Sequence, residues 1–349
     1  MSPTASTLTS GVPAQGTLAS QSISLAVLAA AFAIVPAVAP SAHLLQLATL
    51  ALIFAIPAIG LSLLYGEAGQ MSVANGALYG VGAYVGAIGA REQLFSFWAG
   101  VPCAAIAGAL AAFLVGLTAL RVKGHYFLIV TFAFAELWRI CLVNLKGLTG
   151  GNQGVLVLDE VRVPGLGELH TLAQFYYLAL AFVLAASFCV VLLRFSSFGQ
   201  SLRAVRENER LAVSLGLNAP MVRLAAFAVS GALAGVAGTL YAYTVKHIGP
   251  DLFGAHAGIQ LVLILLIGGA RSPVGPIVGS LIFFLVPEII ALDPISTQIV
   301  YGIVLILIVM LSPEGLAPGV SRAVMRYVRG AQPVGTAQPV GGPSGSISR

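Results

Sequence analysis

Long apolar runs alternate with short polar stretches along this chain. An α-helix needs about 20 apolar residues to cross the hydrocarbon core of a bilayer, and most of these runs have that length. The pattern therefore predicts an all-α polytopic membrane protein with about ten transmembrane or partly spanning helices, eight of them clear. The predicted segments are 22–39, 43–65, 72–90, 97–120, 125–145, 171–193, 221–245, 257–269, 274–292 and 295–311.

Two of these segments are weak as membrane spans. Segment 125–145 contains Glu136 and Arg139, and ionisable groups are expensive inside a membrane. Segment 257–269 is short, which predicts a broken or re-entrant helix.

The ends of the chain lack the material for a core. Residues 1–20 are rich in Ser, Thr, Ala, Gly and Pro, and predict a disordered N-terminal tail. Residues 331–349 repeat the pentapeptide AQPVG, and 314–349 predict a mostly disordered cytoplasmic tail. The transmembrane domain is expected over 21–313, with a polar loop at 195–220.

Composition agrees with a membrane protein. The chain is 58% hydrophobic and 8% charged, whereas soluble domains carry about 25% charged residues. The net charge of +5 is confined to short loops, so it does not indicate nucleic-acid binding. Cys103, Cys141 and Cys189 lie singly in or beside apolar runs and are expected to be buried thiols.

The distribution of basic residues predicts an orientation. Alternating the segments puts twelve Lys and Arg residues on the side of the 195–220 loop, four on the other side, and Arg139 within a segment. Cytoplasmic loops carry the excess of positive charge, so both termini are predicted to be cytoplasmic.

The 195–220 loop holds the densest block of charge. Ser197 followed by Gln200 is typical of a capping box, and Gly216 is typical of a helix stop. These signals predict one amphipathic helix from 197 to 216. Arg203, Arg206 and Arg210 would share one face, and Leu202, Val205 and Ala212 an adjoining apolar strip. The pattern fits a docking helix and equally a basic loop that only sets topology.

Catalytic and metal-binding patterns are missing from the sequence. None of the three lysines is followed by Ser or Thr, so no Walker A loop exists. The five histidines show no ligand spacing, and no nucleophile lies near a base. We expect a chain that is not an enzyme and holds no metal or cofactor.

Two polar features interrupt the apolar pattern between residues 136 and 154. Glu136 and Arg139 are spaced for pairing on one helix face, as a structural ion pair or as part of a gate. The glycine-rich stretch 148–154, LTGGNQG, could offer backbone amides to a carboxylate or form a plain turn.

Several glycines have small-xxx-small spacing, which predicts close helix packing. These pairs are Gly76/Gly80, Gly82/Gly86, Gly231/Gly235 and Gly275/Gly279.

Four stretches, spread between residues 69 and 280, resemble the permease subunits of branched-chain amino acid ABC transporters. GQMSVANGALYGVGAY (69–84) is similar to a glycine-rich family motif. The block 124–155, which includes YFLIVTFAFAELWRI and LTGGNQG, is the most diagnostic. SSFGQSLRAVRENERLAVSLGLN (196–218) resembles the family's cytoplasmic coupling loop, and GGARSPVGPIVGS (268–280) completes the series.

The resemblance implies a subunit of a larger importer in the bacterial inner membrane, surrounded by lipid. A second permease subunit, two ABC ATPase subunits that bind the ATP, and a periplasmic or lipid-anchored solute-binding protein would complete it. The implied ATPase-coupling residues are Gly199, Leu202, Arg203, Val205, Arg206, Glu207, Glu209 and Gly216. The implied translocation-path residues are Ser72, Asn75, Tyr84, Tyr126, Thr131, Glu136, Arg139, Thr149, Gly150 and Gly151.

The chain departs from the family pattern at Ala74, Asn75, Leu78 and Arg271, near the implied path. Because these positions are near the path, the departures widen the range of expected solutes. The expected solute is a branched-chain amino acid or a similar small polar molecule such as urea or an amide. The alternative is an ion-coupled secondary transporter, which would use an acidic residue inside a span. Glu136 is the candidate for that role, and Glu288 lies near a predicted span end.

Overall fold

The computed structural model describes residues 18–38, 41–122, 125–159, 161–163, 167–169, 171–270, 272, 274–289 and 302. The predicted tails, 1–20 and 314–349, lie outside these residues except for Leu18, Ala19 and Ser20, where the first helix begins. The predicted tenth segment, 295–311, lies outside them apart from Gly302.

The described chain is almost entirely helical, with two-residue strands in its connections. The helices are α1 (Leu18–Ala33), α2 (Val35–Val38), α3 (Ala42–Ala68), α4 (Asn75–Arg91), α5 (Phe97–Ala119), α6 (His125–Asn144), α7 (Lys146–Thr149), α8 (Leu172–Phe195), α9 (Ser197–Glu207), α10 (Glu209–Ser214), α11 (Ala219–Val245), α12 (Ala255–Gly268) and α13 (Gly275–Ile289). The strands are β1 (Val155–Leu156), β2 (Arg162–Val163), β3 (Gly167–Glu168) and β4 (His247–Ile248), and 3₁₀ turns span Gly151–Gln153 and Pro250–Phe253.

Each of the nine predicted segments up to 292 coincides with a helix or, at the N-terminus, with the pair α1 and α2. Five helices in the described part are long and apolar enough to cross a membrane: α3, α5, α6 from Tyr126 onward, α8 and α11. The chain is therefore a multi-pass helical membrane protein. Within the described residues α12 and α13 are shorter apolar helices, and for α12 this agrees with the prediction that segment 257–269 is short.

The centre of the bundle is formed by α3 and α11. In the most apolar window of α3, 89% of the residues are buried inside the protein, and this helix packs against α8, α11, α12 and α13. On its other sides α11 packs against α4 and α5. An apolar helix without a polar face belongs in such a position, because it has no side that water could solvate.

Glycines allow the central helices to touch through their backbones. A Cβ added at Gly82 would clash with the backbone of Gly235, and one added at Gly235 would clash with the carbonyl oxygen of Ala104. A Cβ at Gly108 would clash with Gly231 in the same way. Two of the four predicted pairs, Gly82/Gly86 and Gly231/Gly235, therefore lie at the contacts of α11 with α4 and α5, while Gly275/Gly279 lies between α13 and α12. Close backbone contact at glycine is how this spacing promotes helix association in lipid.

The outer surface of the bundle is apolar. Exposed side chains on α5 and α6 include Ile106, Leu114 and Ile129. Cys103 and Cys189 are also exposed, so the expectation that they are buried was wrong for these two thiols. Both lie on helices long and apolar enough to cross a membrane, and a free thiol behaves as a small apolar side chain.

The bundle has two ends that differ in structure. At the α9 end, the C-terminus of α3 meets the C-terminus of α8, the helix α9 and the turn between α12 and α13. At the opposite end, β1 pairs antiparallel with β4, and β2 pairs with β3. The indole Nε1 of Trp98 donates to the carbonyl oxygen of Arg162 there, which fastens the start of α5 to this small strand layer (2.7 Å).

Candidate functional site

The turn from α8 into α9 is tight. A Cβ added at Gly199 would clash with the carbonyl oxygen of Arg194, so only glycine allows α9 to begin this close to α8. The N-cap of α9 is Ser196, whose hydroxyl donates to the carbonyl oxygen of Leu193 (2.7 Å) rather than capping α9. The predicted capping box at Ser197 was therefore wrong, because Ser197 is already the first helical residue.

The predicted helix 197–216 is two helices. Asn208 has an extended backbone (φ −150°, ψ 94°) that ends α9, and its side-chain oxygen accepts from the backbone N–H of Leu211 (3.1 Å) to start α10. The prediction of one continuous helix was wrong because Asn208 is an N-cap inside it. Gly216 follows α10 with φ 89°, so the predicted stop is confirmed.

The apolar side of the α9–α10 segment faces its own chain. Leu202 and Val205 are completely buried, and Val205 packs with Ala212 and Ala219 at the start of α11. The predicted apolar strip of Leu202, Val205 and Ala212 thus packs the α9–α10 segment against the bundle.

A buried ion network joins this segment to the core. The carboxylate of Glu67, in the last turn of α3, lies 3.0 Å from an Nη of Arg203 and 3.4 Å from Nε of Arg194. Only 5% of the Glu67 side chain and 4% of the Arg194 side chain are exposed, against 27% for Arg203. The network therefore connects α3, α8 and α9 in a region of low dielectric, where charge pairs interact strongly.

Further hydrogen bonds extend the network. Arg194 donates through one Nη to the hydroxyl of Ser62 (2.9 Å) and to the carbonyl oxygen of Ala270 (2.9 Å) in the turn between α12 and α13. Arg203 donates to the carbonyl oxygen of Arg194 (3.1 Å), and Arg206 donates to the carbonyl oxygen of Gly66. The two predicted coupling arginines of α9 thus contact the end of α3.

The other side of the α9–α10 segment is an open surface groove of about 570 Å³, lined by Glu207, Asn208, Glu209, Arg210 and Val213. Glu209 pairs with Arg223 on α11 (3.2 Å). Glu207 and Arg210 are exposed, and neither is paired with any residue of the described chain. We call this surface the outer groove.

Three of the predicted path residues meet inside the bundle. Segment 69–74, which connects α3 to α4, is not helical, and it is buried from Ser72 onward. The hydroxyl of Thr131 accepts from the backbone N–H of Val73 (3.2 Å), and the hydroxyl of Ser72 accepts from that of Ala74 (3.2 Å). The side-chain amide of Asn75 donates to the hydroxyl of Ser230 on α11 (2.7 Å). Ser72, Asn75 and Thr131 are completely buried.

A second group surrounds the 3₁₀ turn Pro250–Phe253. Arg139 lies 2.6 Å from a carboxylate oxygen of Glu136 and 3.0 Å from one of Asp251, which confirms the predicted pair and adds a third member. The ring of Tyr84 packs on Phe253 with centroids 5.8 Å apart. Asp251 is largely exposed, so this cluster sits where the opposite end of the bundle meets solvent.

The remaining predicted path residues lie apart from these groups. Tyr126 is 70% exposed and on a different side of α6 from the buried Thr131. The hydroxyl of Thr149 donates to the carbonyl oxygens of Leu142 (2.6 Å) and Leu145 (2.8 Å) and accepts from the N–H of Gly151 (3.3 Å). Thr149, Gly150 and Gly151 therefore form a turn that ends α6, as one of the two readings of LTGGNQG expected.

The sequence predictions missed Glu67, Arg194, Ser62 and Ser230. Glu67 did carry a signal, because it is the first acidic residue after a long run without one. Its partner Arg203 lies 136 residues further along the chain, so no local spacing could reveal the pair.

Several known proteins are similar to this chain in sequence. LivM, a high-affinity branched-chain amino acid transport system permease protein of Escherichia coli K12, is 29% identical over 308 residues, which cover 82% of this chain and 72% of LivM. LivH, a high-affinity branched-chain amino acid transport system permease protein of Salmonella typhimurium, is 26% identical over 285 residues, which cover 77% of this chain and 92% of LivH. A probable LivM of Methanocaldococcus jannaschii is 26% identical over 235 residues, 62% of this chain and 67% of the relative. No solved structure matches the chain.

The family model described as branched-chain amino acid transport system, permease component, matches residues 43–309. The matched range runs from the first turn of α3 past the end of α13, so it includes the buried ion network, segment 69–74 and the outer groove. This chain belongs to the family of branched-chain amino acid transport system permease components.

Proposed function

We propose that this chain forms part of the translocation path of an ABC importer for a branched-chain amino acid or a similar small polar solute. The family match over residues 43–309 carries the proposal. The described residues form a helical bundle with the charged α9–α10 segment at one end and the non-helical segment 69–74 inside. This arrangement fits a translocation path that is driven by a partner bound at one end. Glu136, which a proton-driven secondary transporter would use, is paired with Arg139 instead (2.6 Å).

In this proposal the protein lies in the bacterial inner membrane with ten crossing or partly crossing segments. The α9 end faces the cytoplasm, and both termini lie on that side. Arg194, Arg203, Arg206 and Arg210 at the α9 end support this orientation, because cytoplasmic ends of membrane proteins concentrate positive charge.

The chain would work with a second permease subunit, two ATPase subunits and an external solute-binding protein. The relatives include both LivM and LivH permeases, which favours a pair of related but different subunits. The chain itself would hold no cofactor, and the ATPase subunits would bind and hydrolyse ATP.

The outer groove is the surface that we assign to ATPase contact. Leu202, Val205, Arg203 and Arg206 are occupied by their own chain. Glu207 and Arg210 are exposed at the groove with Val213 beside them. A partner that seats on the groove would thus meet two charges of opposite sign and an apolar side chain, while the buried side of the segment transmits its movement.

Reversing both free charges of the groove, with Glu207→Lys and Arg210→Glu, should reduce co-purification of the ATPase subunits about tenfold or more. Like charges that face each other across an interface cost several kcal/mol of binding free energy. Solvent screening reduces this cost, so we expect the recovered ATPase to fall roughly tenfold. Pull-down of the ATPase subunits from detergent-solubilised membranes measures it.

Arg121→Glu provides the control, since Arg121 is an exposed basic residue at the end of α5 and does not line the groove. Its co-purification should equal that of the unchanged protein. Equal recovery from the groove variant would show that the ATPase binds elsewhere.

The complete complex, reconstituted in liposomes with ATP inside, should take up labelled leucine but neither urea nor acetamide. An importer fed by a binding protein for branched aliphatic side chains gains from burying each extra methylene, about 0.8 kcal/mol, and the two small amides offer none. Filter uptake assays with isoleucine and valine as competitors measure this preference. Uptake of urea in preference to leucine would identify the solute as an amide, and uptake by this chain alone on an ion gradient would reject the importer.

A further inference from the structure

We propose that Glu67 is a positioning residue for transport: it carries movement of the α9–α10 segment into the translocation path. The inference rests on the proposed function and names the route by which the outer groove acts on the bundle. It starts from the position of Glu67, at the point where the central helix α3 ends and segment 69–74 begins.

The two guanidinium groups on Glu67 come from different elements. Arg203 belongs to α9, and Arg194 belongs to the last turn of α8. Arg203 also donates to the backbone of Arg194 (3.1 Å), so the three residues form a closed triangle. A shift of α9 relative to α8 must therefore move the end of α3 or separate Arg203 from the almost fully buried carboxylate of Glu67. Leaving that carboxylate with one partner fewer in a low-dielectric environment is the costlier course.

The link continues directly into the predicted path. Gly69 ends α3, and its N–H bonds back to the carbonyl oxygen of Tyr65 while the N–H of Gln70 bonds to that of Leu64, which fixes the turn. The side chain of Arg206 fills the space beside Gly69, 3.2 Å from where a Cβ would lie. Arg203 and Arg206 thus both contact the end of α3, from which the chain continues to Ser72 and Asn75.

A second branch reaches the other half of the bundle. Through Arg194, the same carboxylate is connected to the carbonyl oxygen of Ala270 and to the hydroxyl of Ser62. Ala270 lies in the turn between α12 and α13, and α12 packs against α4, which begins at Asn75. Movement at Glu67 would therefore reach segment 69–74 from the α3 side and from the α12 side together.

Stability alone is a weak reason for such a network. Buried ion pairs are often replaced by packed apolar side chains without loss of stability, whereas a charge network keeps one defined geometry. A link that has to transmit a displacement benefits from such a defined geometry.

The test uses the assembled complex with its ATPase subunits and binding protein, carrying Glu67→Gln. Glutamine keeps the shape and loses the charge, so both arginines lose their anionic partner. We expect solute uptake per ATP hydrolysed to fall about tenfold, within the usual range for coupling between distant sites, with unchanged ATPase co-purification. If Glu67 were only structural, folded yield, uptake and ATP hydrolysis would fall in parallel and the ratio would stay constant, which would overturn the proposal.

Arg203 supplies a second variant for the case in which Glu67→Gln folds poorly, because its side chain is partly exposed and can tolerate loss of the pair. Arg203→Met should lower the ratio of uptake to ATP hydrolysis as Glu67→Gln does, and Arg203→Lys should retain most of it. The double variant Glu67→Gln, Arg203→Met should have a ratio no lower than that of either single variant. Additive losses would show that the two residues act independently and would contradict the link. Glu92→Gln, at an exposed carboxylate of the opposite end, is the matched control with an unchanged ratio.

The readouts separate this inference from the proposed function. If the complexes with Glu67→Gln and Arg203→Met assemble, transport and keep the unchanged ratio of uptake to ATP hydrolysis, the role of Glu67 is rejected and the importer is not. An unchanged protein that recruits no ATPase subunits rejects the importer and this inference with it.

Discussion

Replacing Gly235 with isoleucine should prevent folded protein from accumulating. Gly235 lies where α11 passes between α4 and α5, and even a Cβ at this position would clash with the carbonyl oxygen of Ala104. Overpacking a close contact typically costs about 1–3 kcal/mol, and a backbone-to-backbone contact has no flexible atoms that can yield. Isoleucine would therefore force α11 away from α5 and its contacts there would be lost, a cost above that range that a net stability of about 5–15 kcal/mol does not survive.

The measurement is the yield of monodisperse protein by size-exclusion chromatography after detergent extraction. Gly235→Ala should give a reduced yield, intermediate between the unchanged protein and Gly235→Ile. Gly147→Ile is the control, because nothing lies within 4 Å of a Cβ at Gly147. A normal yield of Gly235→Ile would mean that α4, α5 and α11 do not pack through their backbones.

Replacing Arg194 with methionine should destabilise the protein by about 3–5 kcal/mol, the usual cost of removing one member of a buried pair. Methionine fills much of the space, so the loss is electrostatic: Ser62 and Ala270 lose a donor, and Glu67 keeps only Arg203. The midpoint of SDS-induced unfolding measures the change. The control is Arg91→Met at the exposed pair with Glu92, where the expected cost is about 0–1 kcal/mol.

The double variant Arg194→Met, Glu67→Leu gives this prediction its sharpest form. It removes the buried carboxylate together with its buried partner and leaves Arg203 able to reach solvent. We expect stability to recover toward that of the unchanged protein, because apolar replacements of complete buried pairs are often neutral. A double variant as unstable as Arg194→Met alone would show that lost packing, and not unpaired charge, caused the effect.

The sequence was sufficient for the helices, because the bilayer imposes their length and composition. The ends of α3, α5 and α8 lie within a few residues of the predicted bounds. The sequence failed at Asn208, where the charge periodicity of the 195–220 loop continues across a helix break. A side chain that caps α10 looks like any other polar residue in such a pattern.

The candidate site was predictable only where its residues are neighbours in the chain. Glu136 and Arg139 are three residues apart on one helix and were paired correctly, but Asp251 joins them from 112 residues away. Tyr126 and Thr131 are five residues apart, which on an α-helix places them on different sides. Glu67 and its arginines meet only after three helices have packed, so their contact belongs to tertiary structure.

The burial of α3 has a consequence for biosynthesis. Its last residue is Ala68, whereas α11, which covers it, ends at Val245. At 5–20 residues per second, the ribosome needs roughly 10 to 35 s to make the intervening chain. Throughout that interval lipid or an insertase must cover the surface of α3 that α11 later buries. Because α3 is apolar on every side, it is soluble in lipid during this time.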